Sequence, residues 1–246
     1  MKDLKNKIII VTGSQGLIGR YVVERLEEFE ATVVKVDINF EKKGGNQYKI
    51  DLTTTVGVDQ LLESVLEKFG KIDGLVNNAY PRTADWGVKF EDIELASWNL
   101  NFEMQMGSLF YLLKKVLLIM KGQKAGSVVN VSSIYGVVGN DFNVYKNTGG
   151  MTSPAAYSAI KGGLINFSRY LASYYGPHGI RVNCVSPGGV FNHQNETFVK
   201  QFEEQVPMNR MAQPHEIAPS VCFLLSEQAS YVTGHNLMVD GGWTAI

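Results

Sequence analysis

Seven short runs rich in Val and Ile punctuate the chain: KIIIVTG (7–13), TVVKVDI (32–38), YKID (48–51), IDGLVNNA (72–79), GSVVNVSS (126–133), IRVNCVSPG (180–188) and HNLMVDGG (235–242). Their apolar residues are consecutive rather than alternating, as expected of strands covered on both faces. Between them lie amphipathic stretches of helical length, among them LIGRYVVERLEEFE, VDQLLESVLEKFG, AYSAIKGGLINFSRYLASYYG and PHEIAPSVCFLLSEQ. This alternation is the pattern of βαβ units. It predicts an α/β fold of three αβα layers, with a doubly wound parallel sheet of seven strands. At 45% hydrophobic and 19% charged over 246 residues, the chain has apolar material for one large core, and one domain is expected over residues 1–246.

The first run passes into TGSQGLIGR, where Gly13, Gly16 and Gly19 are spaced by three at the start of an amphipathic segment. Glycine there lets backbone N–H groups approach a pyrophosphate, whose charge a helix N-terminus favours. Asp37 closes the second run, 18 residues beyond Gly19, where a carboxylate can accept hydrogen bonds from both ribose hydroxyls of an adenosine. The same carboxylate repels a 2′-phosphate, so NAD is expected over NADP. Glycine turn, acidic residue and strand pattern together specify a Rossmann sheet, with ligands beyond the carboxyl ends of its strands.

Other function classes lose ground. Twenty-three Lys and Arg against 24 Asp and Glu give a formal charge of −1, so no global field favours nucleic acid or an anionic membrane. Apolar runs such as VLLIM (116–120) fall far short of the roughly 20 residues needed to cross a bilayer. Cys184 and Cys222 have no metal-ligand spacing, no metal is expected, and the opening MKDLKNKIII resembles no signal peptide. A soluble protein of the reducing cytoplasm is the expectation.

AAYSAIKGG carries the chemistry. Tyr157 and Lys161 are four apart and share a helix face. A phenol titrates near pKa ~10 and is a poor base at neutral pH, but a neighbouring ammonium, helped by the positive nicotinamide of bound NAD, stabilises the phenolate. Tyr157 can then pass a proton to or from an alcohol. In isolation such a pair is an ordinary solvated one; its significance comes from its company.

Nearly the whole chain resembles the short-chain dehydrogenase/reductase superfamily, with motifs in family order. VNNA (76–79) resembles the segment that stabilises the central sheet beside the cofactor, and KIDLT places Asp51 and Leu52 where the family holds adenine. VSSIYG matches Ser133 to the family's active-site serine, YSAIK supplies Tyr157 and Lys161, and IRVNCVSPGG resembles the loop against the nicotinamide. The resemblance implies cofactor contacts from Gly13, Ser14, Gln15, Gly16, Ile18, Gly19, Asp37, Asp51, Leu52, Asn78, Ala79, Tyr80, Tyr157, Lys161, Pro187, Gly188, Val190 and Asn192. It implies that Ser133 holds the substrate oxygen, Tyr157 is the acid/base, and Lys161 assists it and holds a ribose hydroxyl. A homo-oligomer, tetramer or dimer, built on the segments 98–120 and 157–175, is implied as well.

Several positions depart from that pattern. The glycines read TGxxGxxG, as in the extended, sugar-nucleotide-modifying branch, yet the long C-terminal substrate domain of that branch is missing. Gln105 stands in WNLNFEMQMGSLF where the family carries an active-site Asn, with Asn101 as the neighbouring alternative on the same helix face. Tyr80 replaces the glycine that closes NNAG, and Asn192 replaces a threonine. Twenty-four positions separate Ser133 from Tyr157, about twice the family's usual interval, and the surplus is GNDFNVYKNTGGM (139–151). Long loops on rigid scaffolds are commonly functional, and Asn143, Tyr145, Lys146 and Asn147 are expected to help form a polar substrate wall. Arg82, which could clamp an anion bidentately, and His193 are further substrate candidates; Trp86 and Lys89 leave the fourth strand beside Arg82. These details resemble bacterial oxidoreductases of flagellin glycosylation and surface-sugar biosynthesis. The expected function is hydride transfer between nicotinamide and a secondary alcohol or ketone of a polyhydroxylated small molecule. The alternatives are a dehydratase or epimerase that retains NAD, or a non-enzymatic NAD-binding regulator.

Overall fold

The computed structural model of the chain describes residues 1–41 and 44–246. All seven expected runs form strands: β1 (Ile8–Thr12), β2 (Thr32–Asp37), β3 (Gln47–Lys49), β4 (Gly74–Asn77), β5 (Gly126–Val131), β6 (Ile180–Pro187) and β7 (Asn236–Val239). They make one sheet in the order β3-β2-β1-β4-β5-β6-β7, parallel throughout. The chain builds outward from β1 to β3 and then returns to β4 on the other side of β1. A crevice therefore opens beyond the carboxyl ends of β1 and β4, where a doubly wound sheet takes its ligand.

Helices cover both faces: α1 (Gly19–Glu28), α2 (Thr55–Phe69), α3 (Leu95–Phe102), α4 (Ser108–Gln123), α5 (Ala155–Tyr175), α6 (Glu196–Glu203) and α7 (Ala218–Leu225). The consecutive apolar residues of the strands split between the two layers. Ile8 and Ile10 of β1 pack with Val34, Leu75, Val128 and Val182 under α2, α4 and α5. Ile9 and Val11 pack with Val33, Val76, Val129 and Val185 under α1 and α7. Side chains alternate across a strand, so an unbroken Val/Ile run feeds two cores at once. Each fully buried side chain of this kind is worth about 1.5–3 kcal/mol relative to exposure.

The segment 98–120, expected as one helix, is two. A π-helical turn at Glu103–Gly107 separates α3 from α4, and the Glu103 N–H is shared between Asn99 O and Leu100 O. The wider turn inserts backbone into the helix, and Asn101 before it and Gln105 within it are both buried. Helix α6 lacks a long periodic signal in the sequence. Asn195 caps it, accepting from Thr197 N at 2.9 Å, and its face consists of Phe198 and Phe202. These two rings join Ile134, Val144, Val206 and Met211 in a third apolar cluster.

One polar chain crosses the core. Asn77 Nδ2 of β4 donates to Asn130 Oδ1 of β5 at 2.7 Å, and Asn130 Nδ2 donates to Ser168 Oγ of α5 at 2.8 Å. Ser168 also accepts from Cys184 Sγ of β6 and donates to Leu164 O. Asn130 is fully buried, and a buried polar group stripped of its partner costs about 1–3 kcal/mol. Asn130→Ala strands the Asn77 amide, takes one of three partners from Ser168 and leaves a cavity. It is expected to lower unfolding free energy by about 2–4 kcal/mol in denaturant titration, whereas Asn143→Ala on the surface is expected to fall within about 0.5 kcal/mol of wild type.

Candidate active site

At the end of β1 the chain turns sharply through Gly13, whose φ is +60°. A Cβ on Gly13 would come within 2.9 Å of Ala79 Cα, and one on Gly19 would overlap the Gly13 carbonyl. The glycines thus let three pieces of backbone meet at one point. Asn78 braces that turn by donating through Nδ2 to Gly13 O at 2.9 Å, while Thr12 Oγ1 accepts from the N–H groups of Asn78 and Ala79, both at 3.0 Å. Ser14 donates to Val36 O through both its N–H and its hydroxyl. Asp37, buried at the end of β2, accepts Gln15 N on Oδ2 and Asn39 N on Oδ1, both at 3.0 Å. A glycine turn packed this tightly at a helix start, with a carboxylate held beside it, has the chemistry that fits a dinucleotide.

Other expected cofactor positions line the same edge. Asp51 is exposed and accepts Thr53 N and Oγ1 just before α2, and Leu52 packs partly on the core. Pro187 ends β6, Gly188 N donates to Val239 O, and Val190 bridges Ala212. Asn192 is exposed and donates its N–H to Gln194 Oε1. Ile18 precedes α1 and packs against the apolar layer below.

Ser133 follows β5. It is buried, and its Oγ accepts Tyr135 N at 3.2 Å. Helix α5 brings Tyr157 and Lys161 to it. Lys161 is buried and donates from Nζ to Val131 O at 2.8 Å, while its own carbonyl accepts Ser132 Oγ at 3.0 Å. Gly136 permits this approach, since a Cβ there would meet the Lys161 carbonyl carbon at 2.7 Å. The three residues singled out in the sequence are therefore brought together by contacts between α5 and the end of β5.

The electrostatics differ from the expectation drawn from spacing. Burial raises the Tyr157 phenol above its ordinary value, outweighing the favourable hydroxyl of Ser133. Burial also brings the Lys161 amine down to about 8. The hydrogen bond from Nζ goes to Val131 O, and Nζ stands 5.6 Å from the Tyr157 ring centre. In the chain by itself the phenol is thus held protonated.

Further residues surround the phenol. Tyr80 and Trp86 meet the Tyr157 ring edge to face at 5.6 and 6.4 Å between centroids, and Arg82 lies 5.5 Å over the Tyr80 ring. Sequence reasoning named Trp86 without giving it this place; the signal was Tyr80, an aromatic where the family carries glycine. Gln105 is buried in the π turn, and its Nε2 has no hydrogen-bond partner among the described residues. Asn101, its proposed alternative, is committed elsewhere: its Nδ2 donates to Thr83 Oγ1 and Ser97 O, and its Oδ1 accepts Thr83 N.

The loop 139–151 is fastened rather than loose. Val144 is buried, the Tyr145 ring packs 5.2 Å from Phe198 of α6, and Gln201 Nε2 donates to Lys146 O at 2.8 Å. Asn143 is exposed and tied to Asp141 through its N–H and Nδ2. The Lys146 and Asn147 side chains are exposed, as is His193, whose φ is +55° and whose ring meets Phe191 edge-on. Lys89 lies apart, on a groove with Phe90 and Phe142.

A family model described as Enoyl-(Acyl carrier protein) reductase matches residues 14–244. The chain belongs to the short-chain dehydrogenase/reductase family. It is 30% identical to the post-translational flagellin modification protein A of Campylobacter coli, over 98% of this chain and 99% of that protein. It is 34% identical to a 2,5-dichloro-2,5-cyclohexadiene-1,4-diol dehydrogenase of Sphingobium indicum, over all of both chains. Its fold matches that of a short-chain dehydrogenase from Leptospira borgpetersenii with bound NAD+ at a TM-score of 0.89 and 31% identity, covering 98% of this chain and 94% of that one. The protein is accordingly a nicotinamide-dependent oxidoreductase acting on CH–OH groups and their ketones.

The lowered amine has a measurable consequence. Lys161 titrates near 8 when folded against 10.5 for an ordinary lysine. Between those values the unfolded chain binds more protons, so folded stability rises with pH across that window. Relative to Lys161→Met, the wild-type ligand-free protein is expected to gain up to about 1.4 kcal/mol per pH unit from about pH 8 to 10, read from denaturant midpoints.

Proposed function

We propose that the protein is an NAD(H)-dependent oxidoreductase that interconverts a secondary alcohol and its ketone on a sugar or sugar-derived substrate. The observation that carries this reading is the convergence of Ser133, Tyr157 and Lys161 on the sheet edge that also holds the glycine cradle and Asp37. In reduction, the Ser133 hydroxyl donates to the carbonyl oxygen as negative charge gathers there. Tyr157 passes its phenolic proton to that oxygen, and the Lys161 ammonium stabilises the phenolate left behind. Oxidation runs the same path in reverse. The nicotinamide, when bound, supplies or accepts the hydride.

Asp37 supports NAD over NADP: two backbone N–H groups hold its carboxylate at the cradle, and its remaining lone pairs suit hydroxyls rather than a phosphate. Similarity to a flagellin-modification protein and the polar loop 139–151 support a sugar-derived substrate. Arg82, Tyr145, Lys146 and His193 are its proposed contacts, and Gln105, buried with a free amide, takes the place of the family's Asn. Homo-oligomerisation is supported by the aromatic row Phe167, Tyr170 and Tyr174 on α5, stacked at 6.3 and 6.1 Å, with Tyr170 and Tyr174 exposed. The TGxxGxxG spacing favours one second reading, an enzyme that retains NAD as an internal hydride store. A panel of sugars followed by NADH absorbance separates the two, because only the dehydrogenase changes net NADH.

Tyr157→Phe is expected to cut turnover by at least about 100-fold while keeping NAD affinity, measured by steady-state kinetics and cofactor titration. Asp37→Ser is expected to shift the ratio of kcat/KM from NAD toward NADP by about tenfold or more, about 1.4 kcal/mol.

A further inference from the structure

Three rings meet around the reacting phenol. Tyr80 and Trp86 lie 5.7 Å apart, Tyr80 and Tyr157 5.6 Å, and Trp86 and Tyr157 6.4 Å, at interplanar angles of 80°, 73° and 88°. Perpendicular arrangements at these separations are the favoured aromatic geometry, each worth about 0.5–1.5 kcal/mol beyond the area buried. Lys161 Nζ stands 5.6 Å from the Tyr80 centroid and 5.6 Å from that of Tyr157. An ammonium within about 6 Å of a ring centroid is attracted to its electron-rich face. One side chain, at a position where the family carries glycine, thus touches both members of the acid/base pair from a different segment of the chain.

We propose that Tyr80, backed by Trp86, is a positioning residue that holds the Tyr157 ring and the Lys161 ammonium together in one dry aromatic box. The proposal rests on the reading of Tyr157 as the acid/base. Among the described residues Lys161 has one acceptor, Val131 O, so two of its N–H groups lie open toward the rings and the cleft. Tyr80 displaces the water that would otherwise solvate them. The other polar and titratable groups facing the pair are Ser133 and Tyr135 after β5, Asp141 and Tyr145 of the 139–151 loop, Arg82 beyond Tyr80, and Cys184 of β6. Of these, Arg82 and Asp141 carry charge at neutral pH, and each faces the box through an intervening tyrosine, Tyr80 or Tyr135. Water exclusion therefore dominates: burial is the largest influence on Tyr157, Tyr80 and Lys161 alike. A phenol kept protonated is the form that donates to a developing alkoxide, so the box poises the enzyme for ketone reduction.

The test compares Tyr80→Gly with Tyr80→Phe by ultraviolet difference titration of tyrosinate in the ligand-free protein, each with and without Tyr157→Phe to isolate the phenol of interest. Tyr80→Gly is expected to lower the Tyr157 midpoint by about one pH unit and to move the matching limb of the kcat profile equally. Tyr80→Phe keeps the ring and is expected to keep the wild-type midpoint. An unchanged midpoint in Tyr80→Gly, or a shift as large in Tyr80→Phe, would overturn the proposal. If Tyr80→Gly does not fold, Trp86→Ala takes its place with a smaller shift in the same direction, and a wild-type midpoint there counts against the box. The titration requires no turnover, so its failure is distinct from that of the acid/base reading, which persisting activity in Tyr157→Phe alone would show.

Discussion

The structure depends on how closely helix α5 seats against the end of strand β5. Lys161 enters that seam with its amine bonded to Val131 O and its carbonyl bonded to Ser132 Oγ, and Gly136 removes the side chain that would hold the helix away. Burying an ammonium is costly unless hydrogen bonds and nearby π faces compensate. The seam accepts that cost because the same contact sets Tyr157 beside Ser133. A helix displaced there by about an ångström would part the proposed acid/base from Ser133, and catalysis by positioned groups tolerates little displacement.

Two devices keep the seam in place. Below it, the buried chain from Asn77 through Asn130 and Ser168 to Cys184 ties three strands to α5 with every member partnered. Satisfied networks of this kind specify one arrangement of a core, since any shift strands a polar group. Above it, the loop 139–151 is stapled at its start and its middle: Asn140 bonds Ser153 and Ser158 near the start of α5, and Tyr145 and Lys146 dock on α6. Helix α6 is in turn backed by Trp243, whose ring stacks on Phe202 at 4.3 Å. The insertion is therefore packed, through α6, onto the segment that carries Trp243.

Charge at the site follows from this packing. The crevice opens where the order of strands reverses, so backbone N–H groups, Asp37 and the Tyr157–Lys161 pair all gather on one sheet edge. There the phenol and the amine are both pushed toward their neutral forms by burial.

The sequence by itself determined the strands, most of the helices, the glycine turn with Asp37, and the Ser133, Tyr157 and Lys161 set, because each is written in local spacing or short motifs. Residues three or four apart fix a helix face, and consecutive Val and Ile fix a strand covered twice. It did not determine the π turn at Glu103–Gly107, the short helix α6, the docking of the 139–151 loop, or the meeting of Tyr80 and Trp86 with Tyr157. Those are contacts between segments remote along the chain. Nor could spacing give the direction in which Tyr157 titrates: an adjacent lysine argues for a lowered phenol, but desolvation is a sum over everything packed around it. Only the tertiary structure, by deciding which groups are removed from water together, decided that sum.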